Sequence, residues 1–414
     1  MKLSDRTVLF DFHGIPILGS RTTGSVIGLS PAGLDLCRRM AQADMEPAEA
    51  QAVDANLAAA LQRGGFLEGA GQAPEGARTA YVHVTQRCNL RCLGCYSDGE
   101  SRNNLADPPA DDLARGFRRL AAWGVRSINI SGGEPFLRPD LPQICRSARE
   151  AGIGRITVLS NGLALNKAAV EAAAPFVDCI SISFDGPSED APARIRGRQA
   201  FAALCDSLDL VAAAGVQPHI IATIHRLNTG DLDAYVRLSQ QKGATLNFSL
   251  LSCCEGPGLD GLVHDEASLA ELGHRMFALG EVLPQAVLDA PLSLNLALKD
   301  GCGAGKGTVS LDADGTLYPC HMLHCPEFAL GNAFADEAAD PFRSEAAKRF
   351  AGLGIDALSE CGGCEYRFLC GGGCRARAFH ASGSLTAKDP FCTMVREFYG
   401  LLGTALAERF GTIG

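Results

Sequence analysis

The segment Cys88-Asn-Leu-Arg-Cys92-Leu-Gly-Cys95 directly follows a predicted strand, Tyr81–Thr85, and decides how the rest of the chain is interpreted. Its cysteines have the spacing C-x3-C-x2-C. Three thiolates can bind three irons of a [4Fe–4S] cluster, which ordinarily takes four cysteines, so one iron would keep an open coordination position. A closed zinc site would need a fourth ligand, and His83, the nearest histidine, belongs to the strand. The spacing therefore favours an iron–sulfur cluster with one open iron.

The residues that follow alternate between strand and helix patterns. The predicted strands after Tyr81–Thr85 are Ser127–Ser131, Ile156–Ser160, Asp178–Phe184, His219–Ile224 and Thr245–Leu250. Repeated alternation implies parallel strands joined by right-handed crossovers. The sequence therefore predicts an α/β fold over residues 78–299, a partial (β/α)6 barrel similar to a TIM barrel.

Small polar motifs recur at the ends of successive strands, where barrel enzymes hold their chemistry. Ser131-Gly132-Gly133-Glu134-Pro135 follows the second strand, Ser160-Asn161-Gly162 follows the third, and Ser183 lies near the end of the fourth. Together with the cysteine segment, this order resembles the radical S-adenosylmethionine (SAM) superfamily over residues 78–300, including its GGEP motif.

The resemblance implies that SAM chelates the open iron through its amine and carboxylate, and that an electron from the cluster then releases a 5′-deoxyadenosyl radical. The implied SAM contacts are Gly94, Gly132, Gly133, Glu134, Ser183 and Arg196, with Arg194 as the alternative to Arg196. Glu134 would accept the SAM ammonium, and the arginine would pair with the carboxylate. The family usually has an aromatic residue at the position of Gly94, whereas here the aromatic residue is Tyr96. No catalytic base is assigned.

A second cysteine array lies toward the C-terminus. Its members are Cys302, Cys320, Cys361, Cys364, Cys370, Cys374 and Cys392. A zinc ribbon would need only two C-x2-C pairs and would leave the other cysteines unexplained. The spacing resembles the SPASM domain over residues 300–395, which implies two auxiliary [4Fe–4S] clusters and so three clusters in all. By this resemblance Cys302, Cys320 and Cys374 hold the first auxiliary cluster, and Cys361, Cys364, Cys370 and Cys392 hold the second.

The first auxiliary set has three cysteines, so its fourth ligand stays open at this stage. Cys325 or the tandem pair Cys253-Cys254 would complete it. Otherwise the iron stays open and binds a substrate thiolate, because iron–sulfur clusters favour soft ligands. The remaining cysteines, Cys37, Cys145, Cys179 and Cys205, are expected to be buried, inert thiols.

The N-terminal residues 1–70 are predicted to form a small α+β domain. Short strands come first, and two helices follow at Pro31–Met40 and Pro47–Arg63. This order is similar to the winged-helix recognition element of peptide-modifying enzymes, which binds a leader peptide as an added strand. A linker rich in glycine, alanine and proline, Gly69–Ala80, separates this domain from the barrel. Residues 396–414 are predicted to form a C-terminal helix.

Composition limits the other classes of function. The 414 residues carry a net charge of −10, which favours neither nucleic acid nor an anionic membrane as a partner. The sequence contains no apolar run of membrane-spanning length and no secretory pattern, so we expect a cytoplasmic protein. Its 17 cysteines are then expected to be reduced.

The SPASM resemblance implies an enzyme that modifies a ribosomally made peptide, by hydrogen abstraction followed by a thioether, carbon–carbon or oxidised product. The implied partners are the precursor peptide and a reductant such as flavodoxin or ferredoxin. A tetrapyrrole side-chain modifier and a sulfatase maturase are alternatives, although in the latter an aspartate follows the cysteine at the position of Cys320, where this chain has His321. An iron–sulfur electron carrier is the non-enzymatic alternative, but it would not need an open cluster with Glu134, Ser183 and Arg196.

Overall fold

The computed structural model describes residues 1–69, 78–99, 101–252, 256–282, 287–288, 292 and 294–411. Most of the predicted linker and the pair Cys253-Cys254 lie outside these residues. Within them the chain forms a 10-stranded sheet and a separate 3-stranded sheet. None of the helices in the described residues has both the length and the apolarity needed to span a membrane.

The large sheet contains the predicted partial barrel. Its parallel strands are β4 (Arg78–Thr85), β5 (Val125–Gly132), β6 (Arg155–Ser160), β7 (Cys179–Phe184), β8 (Gln217–Ile224), β9 (Thr245–Leu250) and β10 (Val287–Leu288). The helices between and after them are α3 (Ala110–Ala122), α4 (Leu141–Glu150), α5 (Lys167–Ala173), α6 (Phe201–Ala213), α7 (Leu232–Gln241) and α8 (Glu266–Val282). Strands lie side by side in chain order, as repeated right-handed crossovers require, so the predicted α/β barrel is confirmed.

Side chains along β4 point alternately to the hydrophobic core on one face of the sheet and to the barrel interior on the other. Val82 and Val84 are fully buried in the main core between the sheet and its helices. Successive side chains of a strand point to opposite faces, so Tyr81 and His83 lie on the interior face. The same pattern places polar residues such as Ser131 and Ser183 inside the barrel, where the ends of the strands bring them near the cysteine loop.

The C-terminal region continues the large sheet. β11 (Thr308–Leu311) pairs in parallel with β4, and β12 (Thr316–Tyr318) and β13 (Gly331–Asn332) follow as antiparallel strands. The helices of this region are α9 (Glu345–Ala351), α10 (Arg367–Cys370), α11 (Arg375–Ser382) and α12 (Cys392–Phe410). The last helix begins at Cys392, four residues before the predicted start at residue 396, so a cysteine of the second array forms its first turn.

The N-terminal residues form the small antiparallel sheet, in the order β1 (Thr7–Phe12), β2 (Ile15–Ser20) and β3 (Val26–Gly28), followed by α1 (Pro31–Gln42) and α2 (Pro47–Arg63). Ser30 caps α1 by accepting a hydrogen bond from the Gly33 amide, as the sequence Ser30-Pro31 suggests. The helices and one sheet face enclose a small core around Met40 and Leu61. The other sheet face packs on the C-terminal region.

Candidate functional site

The cysteines of the first segment lie together in the loop after β4, at the carboxyl edge of the sheet. Burial is the main reason that the pKa of Cys92 is raised to about 11. The charges of Cys95 and Cys88 act in the same direction, and the charge of Arg196 opposes them. This mutual effect means that the three thiols lie within electrostatic reach of one another. Arg102 lies beside them, with Nη2 3.1 Å from Cys95 Sγ. The loop therefore presents three half-buried sulfurs and one neighbouring cation.

Two glycines of the GGEP motif clamp this cysteine loop to the next strand. The Gly133 amide donates to the Thr85 carbonyl, and the Glu134 amide donates to the Arg87 carbonyl, both at 2.8 Å. A Cβ on Gly132 would lie 2.1 Å from Thr85 O, and one on Gly133 would lie 1.9 Å from Arg87 O. Only glycine allows this approach of two backbones, so the motif fixes the position of the residue before Cys88.

Glu134 is fully buried and holds the loops of three strands together. Its Oε1 accepts from the Phe136 amide at 3.1 Å and from Ser160 Oγ at 2.8 Å, and its Oε2 accepts from the Asn161 amide at 2.7 Å. Burial outweighs these bonds and raises the pKa of Glu134 to about 7. A carboxylate accepts about four hydrogen bonds, so roughly one acceptor position remains for an ammonium group.

Arg196 turns toward the cysteine loop, whereas Arg194 is exposed. Its Nη1 donates to Asp185 Oδ1 at 2.7 Å, and its amide donates to Asp185 Oδ2 at 2.6 Å. Its charge acts on Cys92, so of the two candidate arginines Arg196 is the one near the cysteines. Ser183 is half-buried on β7 nearby. A small surface cleft lined by Asp185 and Arg196, among others, opens here.

Gly94 stands where the family usually has an aromatic residue, and the aromatic residue of this chain is Tyr96, two positions later. Gly94 has a φ of +64°, a conformation that an aromatic residue rarely adopts. Tyr96 instead points toward the barrel interior, where its hydroxyl lies 2.5 Å from Ser131 Oγ and its ring centroid lies 5.0 Å from that of His321. The chain thus brings Gly94 to the cysteine loop but directs the neighbouring aromatic ring elsewhere.

The second array separates into two groups of thiols, divided by the turn Gly371-Gly372-Gly373. All three glycines have φ between +67° and +82°, so the chain reverses sharply between Cys370 and Cys374. Burial is the largest cause of the raised pKa of both Cys370 and Cys320. The charges of Cys392 and Cys361 add to the effect on Cys370, and those of Cys374 and Cys302 add to the effect on Cys320. The charge of Cys364 in turn contributes to the raised pKa of Cys361 and of Cys392.

The groups are therefore Cys302, Cys320 and Cys374 on one side, and Cys361, Cys364, Cys370 and Cys392 on the other. Asp389 anchors the first group, because its Oδ2 accepts from the Cys374 amide at 2.6 Å while Arg377 neutralises its charge. These are the same two groups that the resemblance implied.

Cys325 packs on the same small core as the first group, and burial raises the pKa of its thiol. This position keeps it a candidate for the fourth ligand of that group. Among the remaining cysteines, Cys37, Cys145 and Cys179 are buried as expected, but Cys205 is only half-buried on α6, because the start of that helix lies at the surface.

One set of polar residues was not predicted from the sequence. His83, Asp312 and His324 converge on the interior face beside β4. Although burial opposes ionisation, hydrogen bonds from His324 and His83 hold the pKa of Asp312 well below its usual range. The available signal was the alternation along β4, which places His83 inside the barrel.

The three thiol groups fit iron–sulfur chemistry. Burial raises the pKa of Cys88, Cys92 and Cys374, so at neutral pH these bare thiols keep their protons and a bound metal is what would hold them as thiolates. Groups of three or four soft sulfur donors are the ligand sets that such clusters take. Arg102 is also suited to offset the negative charge of a thiolate-bound cluster.

Comparisons with known proteins agree with this geometry. The Radical SAM superfamily profile matches residues 82–238, and that of the iron–sulfur cluster-binding domain SPASM matches residues 302–365. The chain is 29% identical to the PqqA peptide cyclase of Ruegeria pomeroyi over 82% of this chain and 93% of the cyclase. It is 30% identical to the mycofactocin maturase MftC of Mycobacterium ulcerans over 75% of this chain and 86% of the maturase.

A relative with a different activity is similarly distant. The AdoMet-dependent heme synthase of Methanosarcina barkeri is 26% identical over 75% of this chain and 94% of the synthase. The crystal structure of Streptococcus suis SuiB bound to precursor peptide SuiA superposes with a TM-score of 0.61 and 16% identity, over 94% of this chain and 98% of SuiB. With this fold, these motifs and these relatives, the chain belongs to the radical SAM enzymes that carry a SPASM domain, and it uses SAM and iron–sulfur clusters.

Proposed function

We propose that this enzyme modifies a ribosomally made precursor peptide, abstracting a hydrogen atom and then forming a thioether, a carbon–carbon bond or an oxidised product. The name of one relative, a PqqA peptide cyclase, supports a peptide substrate. The observation that carries the proposal is the N-terminal sheet, which lies against the C-terminal region and whose strand β3 has no second strand partner among the described residues.

The docking of this sheet is extensive. Val8, Phe10 and Val26 pack against Leu298 and Phe368. Arg21 Nη1 lies 2.8 Å from Asp300 Oδ1, and the Leu298 amide donates to the Gly24 carbonyl at 2.8 Å. A peptide bound to the sheet would therefore be held at a fixed position relative to the barrel.

The edge strand β3 is suited to accept a peptide as an added strand. The Leu29 amide donates to the Pro16 carbonyl, and the Ser20 amide donates to the Ser25 carbonyl. Bonding alternates along an antiparallel pair, so the amides of Val26 and Gly28 point away from β2, toward the open edge. Gly28 is exposed.

We assign one [4Fe–4S] cluster to each thiol group, with Cys88, Cys92 and Cys95 holding the cluster that binds SAM. When reduced, that cluster and SAM supply the 5′-deoxyadenosyl radical. The protein's part is positioning. Gly132 and Gly133 set the loop, Glu134 accepts the SAM ammonium, and Arg196 binds its carboxylate. Ser183 contacts the ribose or the amino-acid end of SAM, and the Gly94 backbone contacts the adenine. Flavodoxin or ferredoxin is the proposed reductant.

Tetrapyrrole modification is the second candidate, and the heme synthase relative favours it. That chemistry gives no role to a peptide-binding strand edge. A sulfatase maturase fits less well, because His321 stands where an aspartate is expected.

The direct test is mass spectrometry after anaerobic incubation with SAM, a reductant and either the peptide encoded beside the gene or an iron porphyrin precursor. A mass change in the peptide supports the proposal, and a change in the porphyrin alone refutes it. Cys205→Ala is a matched cysteine control, because Cys205 lies on α6 and belongs to none of the three thiol groups.

A proline at Gly28 tests the recognition strand. Gly28→Pro removes an amide that points away from β2 and leaves the β2–β3 bonds in place. We expect about 10- to 100-fold weaker binding of the precursor, from one lost hydrogen bond and a blocked approach, with unchanged 5′-deoxyadenosine formation in the absence of peptide. Gly28→Ala keeps the amide and should bind normally. Equal affinity of the proline and alanine variants would exclude strand addition at this edge.

A further inference from the structure

His83, Asp312 and His324 form a compact group on the interior face of the barrel, between β4 and the two strands that follow it in the sheet. The His83 side chain is 1% exposed, and those of Asp312 and His324 are 16% and 17% exposed. All three candidate ligand atoms lie within 4.8 Å of one another. None of these residues belongs to a thiol group or to the proposed SAM contacts.

The two histidine–carboxylate contacts are longer than ordinary charge-assisted hydrogen bonds. His83 Nδ1 lies 3.3 Å from Asp312 Oδ1, and His324 Nδ1 lies 3.4 Å from Asp312 Oδ2. A charge-assisted N–H···O bond is ordinarily about 2.7–2.9 Å long. Each contact ends on a different oxygen, so Asp312 presents one carboxylate oxygen to each histidine ring, and an ion between the rings would have an oxygen ligand on either side.

The donor set limits the class of ion. Two histidines and one carboxylate are the ligands of catalytic zinc sites, and the same set binds iron(II) as a facial triad. The ligand types therefore indicate a divalent first-row metal ion, and zinc is the member of that class that the experiment uses.

Surrounding residues orient the ligands as metal sites require. The other ring nitrogen of His324 lies 2.8 Å from Ser310 Oγ, so it can donate there and leave Nδ1 as the free ligand atom. Gln86 Nε2 donates to Asp312 Oδ1 at 2.6 Å. His83 differs from the other two: its Nδ1 faces Asp312 and lies 3.4 Å from Gln86 Nε2, while its buried Nε2 has no hydrogen-bond partner among the described residues and so keeps a donor atom unused.

We propose that His83, Asp312 and His324 bind one divalent first-row metal ion inside the barrel, leaving a fourth coordination position open. Three protein ligands and one open position are typical of zinc sites that act on a bound molecule, whereas structural zinc sites are closed by four ligands. Tyr96 follows Cys95 in the chain, and its ring centroid lies 5.9 Å from that of His83, so the proposed metal site lies close to the cysteine loop. The open position would take water or a substrate donor such as a thiolate or carbonyl.

The test uses the holoenzyme with its clusters loaded, so that the cysteines are occupied by iron. It is incubated anaerobically with zinc chloride and desalted, and zinc and iron are measured by mass spectrometry. We expect about one zinc per chain, bound at least about 100-fold more weakly in Asp312→Asn and His324→Gln, and about 10- to 100-fold more weakly in Gln86→Leu. His274→Gln is the matched control, because it breaks a histidine–carboxylate pair with Glu397 at the surface.

X-ray absorption at the zinc edge identifies the ligands independently of activity. The proposal requires nitrogen and oxygen at about 2.0–2.1 Å, whereas zinc held in a cysteine group would show sulfur at about 2.3 Å. Iron content equal to that of the unaltered enzyme shows that each variant is folded and loaded. If Asp312→Asn bound zinc as tightly as the unaltered enzyme, or if the spectrum showed a sulfur shell, the proposed metal site would be wrong. The three residues would then form only a hydrogen-bonded group.

Discussion

Replacing Gly133 by alanine tests whether the contact between two loops positions the first cysteine group. The added Cβ would lie 1.9 Å from Arg87 O and 2.5 Å from Arg87 C. Those atoms belong to backbone, so no side chain can move aside, and the overlap is roughly 1.5 Å short of ordinary contact. The two loops must separate, which breaks the 2.8 Å bonds from Gly133 to Thr85 and from Glu134 to Arg87.

The magnitude follows from these two bonds. Each buried backbone hydrogen bond contributes about 1 kcal/mol, and leaving its groups unpaired adds to the cost, so the native loop arrangement loses about 2–4 kcal/mol. At about 1.4 kcal/mol for each factor of ten, its population falls roughly 30- to 900-fold relative to the open arrangement. Because Arg87 precedes Cys88, the first ligand of the proposed SAM cluster moves with the loop.

We therefore expect the Gly133→Ala enzyme to lose about four irons per chain and to form 5′-deoxyadenosine at least about 30-fold more slowly. Iron analysis and liquid chromatography of anaerobic reactions measure both. Gly99→Ala is the control in the same loop region, because a Cβ there meets no atom within 4 Å. If Gly133→Ala kept its iron and its rate of SAM cleavage, the clamp would not be what positions Cys88.

Two further predictions concern the clusters and the barrel interior. The reconstituted enzyme should hold about 12 irons. Alanine at Cys88, Cys92 and Cys95 should abolish the formation of 5′-deoxyadenosine, and SAM cleavage by this variant would contradict the assignment. Alanine at Cys361 and Cys364 should leave SAM cleavage but stop substrate modification. Burial and then the charge of Arg155 lower the pKa of His219 to about 4, so its stabilising effect is present above about pH 6.5 and is lost as the pH falls toward 4. Between pH 7.5 and 5.5 the unaltered enzyme should lose about 1 kcal/mol more stability than His219→Gln in thermal unfolding, and parallel pH profiles would refute this.

The barrel could be predicted from the sequence because its pattern is encoded locally, and the cysteine spacings marked the candidate cluster ligands. Strand and helix periodicity fixes the alternation, and thiols at set spacings mark cluster loops whatever the surroundings. The turn Gly371-Gly372-Gly373 shows the limit of this reasoning. From spacing alone, Cys370 and Cys374 could belong to one group, and only the resemblance assigned them to two. The three left-handed residues supply the physical reason for that division.

The histidine site could not be predicted, because its members come from separate parts of the chain. His83 lies on β4, and Asp312 follows β11, which pairs beside β4 only after about 220 intervening residues have folded into the barrel. The pairing of Leu311 with Val82 brings Asp312 to the level of His83. A single sequence carries no signal for this register, because strand pairing depends on the complete sheet.

The N-terminal unit shows why its recognition role should be tested by point substitution rather than by truncation. The glycine-rich linker predicts a detachable domain, yet Phe12 and Ile17 are buried in the main core, and His13 bonds to Tyr366 at 3.0 Å. Removing residues 1–70 would expose the surface that these side chains cover, at about 1.5–3 kcal/mol for each large apolar residue. Loss of activity after truncation would therefore report damage to the core as readily as loss of peptide binding. Gly28→Pro alters only the outer edge of the sheet, so it separates recognition from folding.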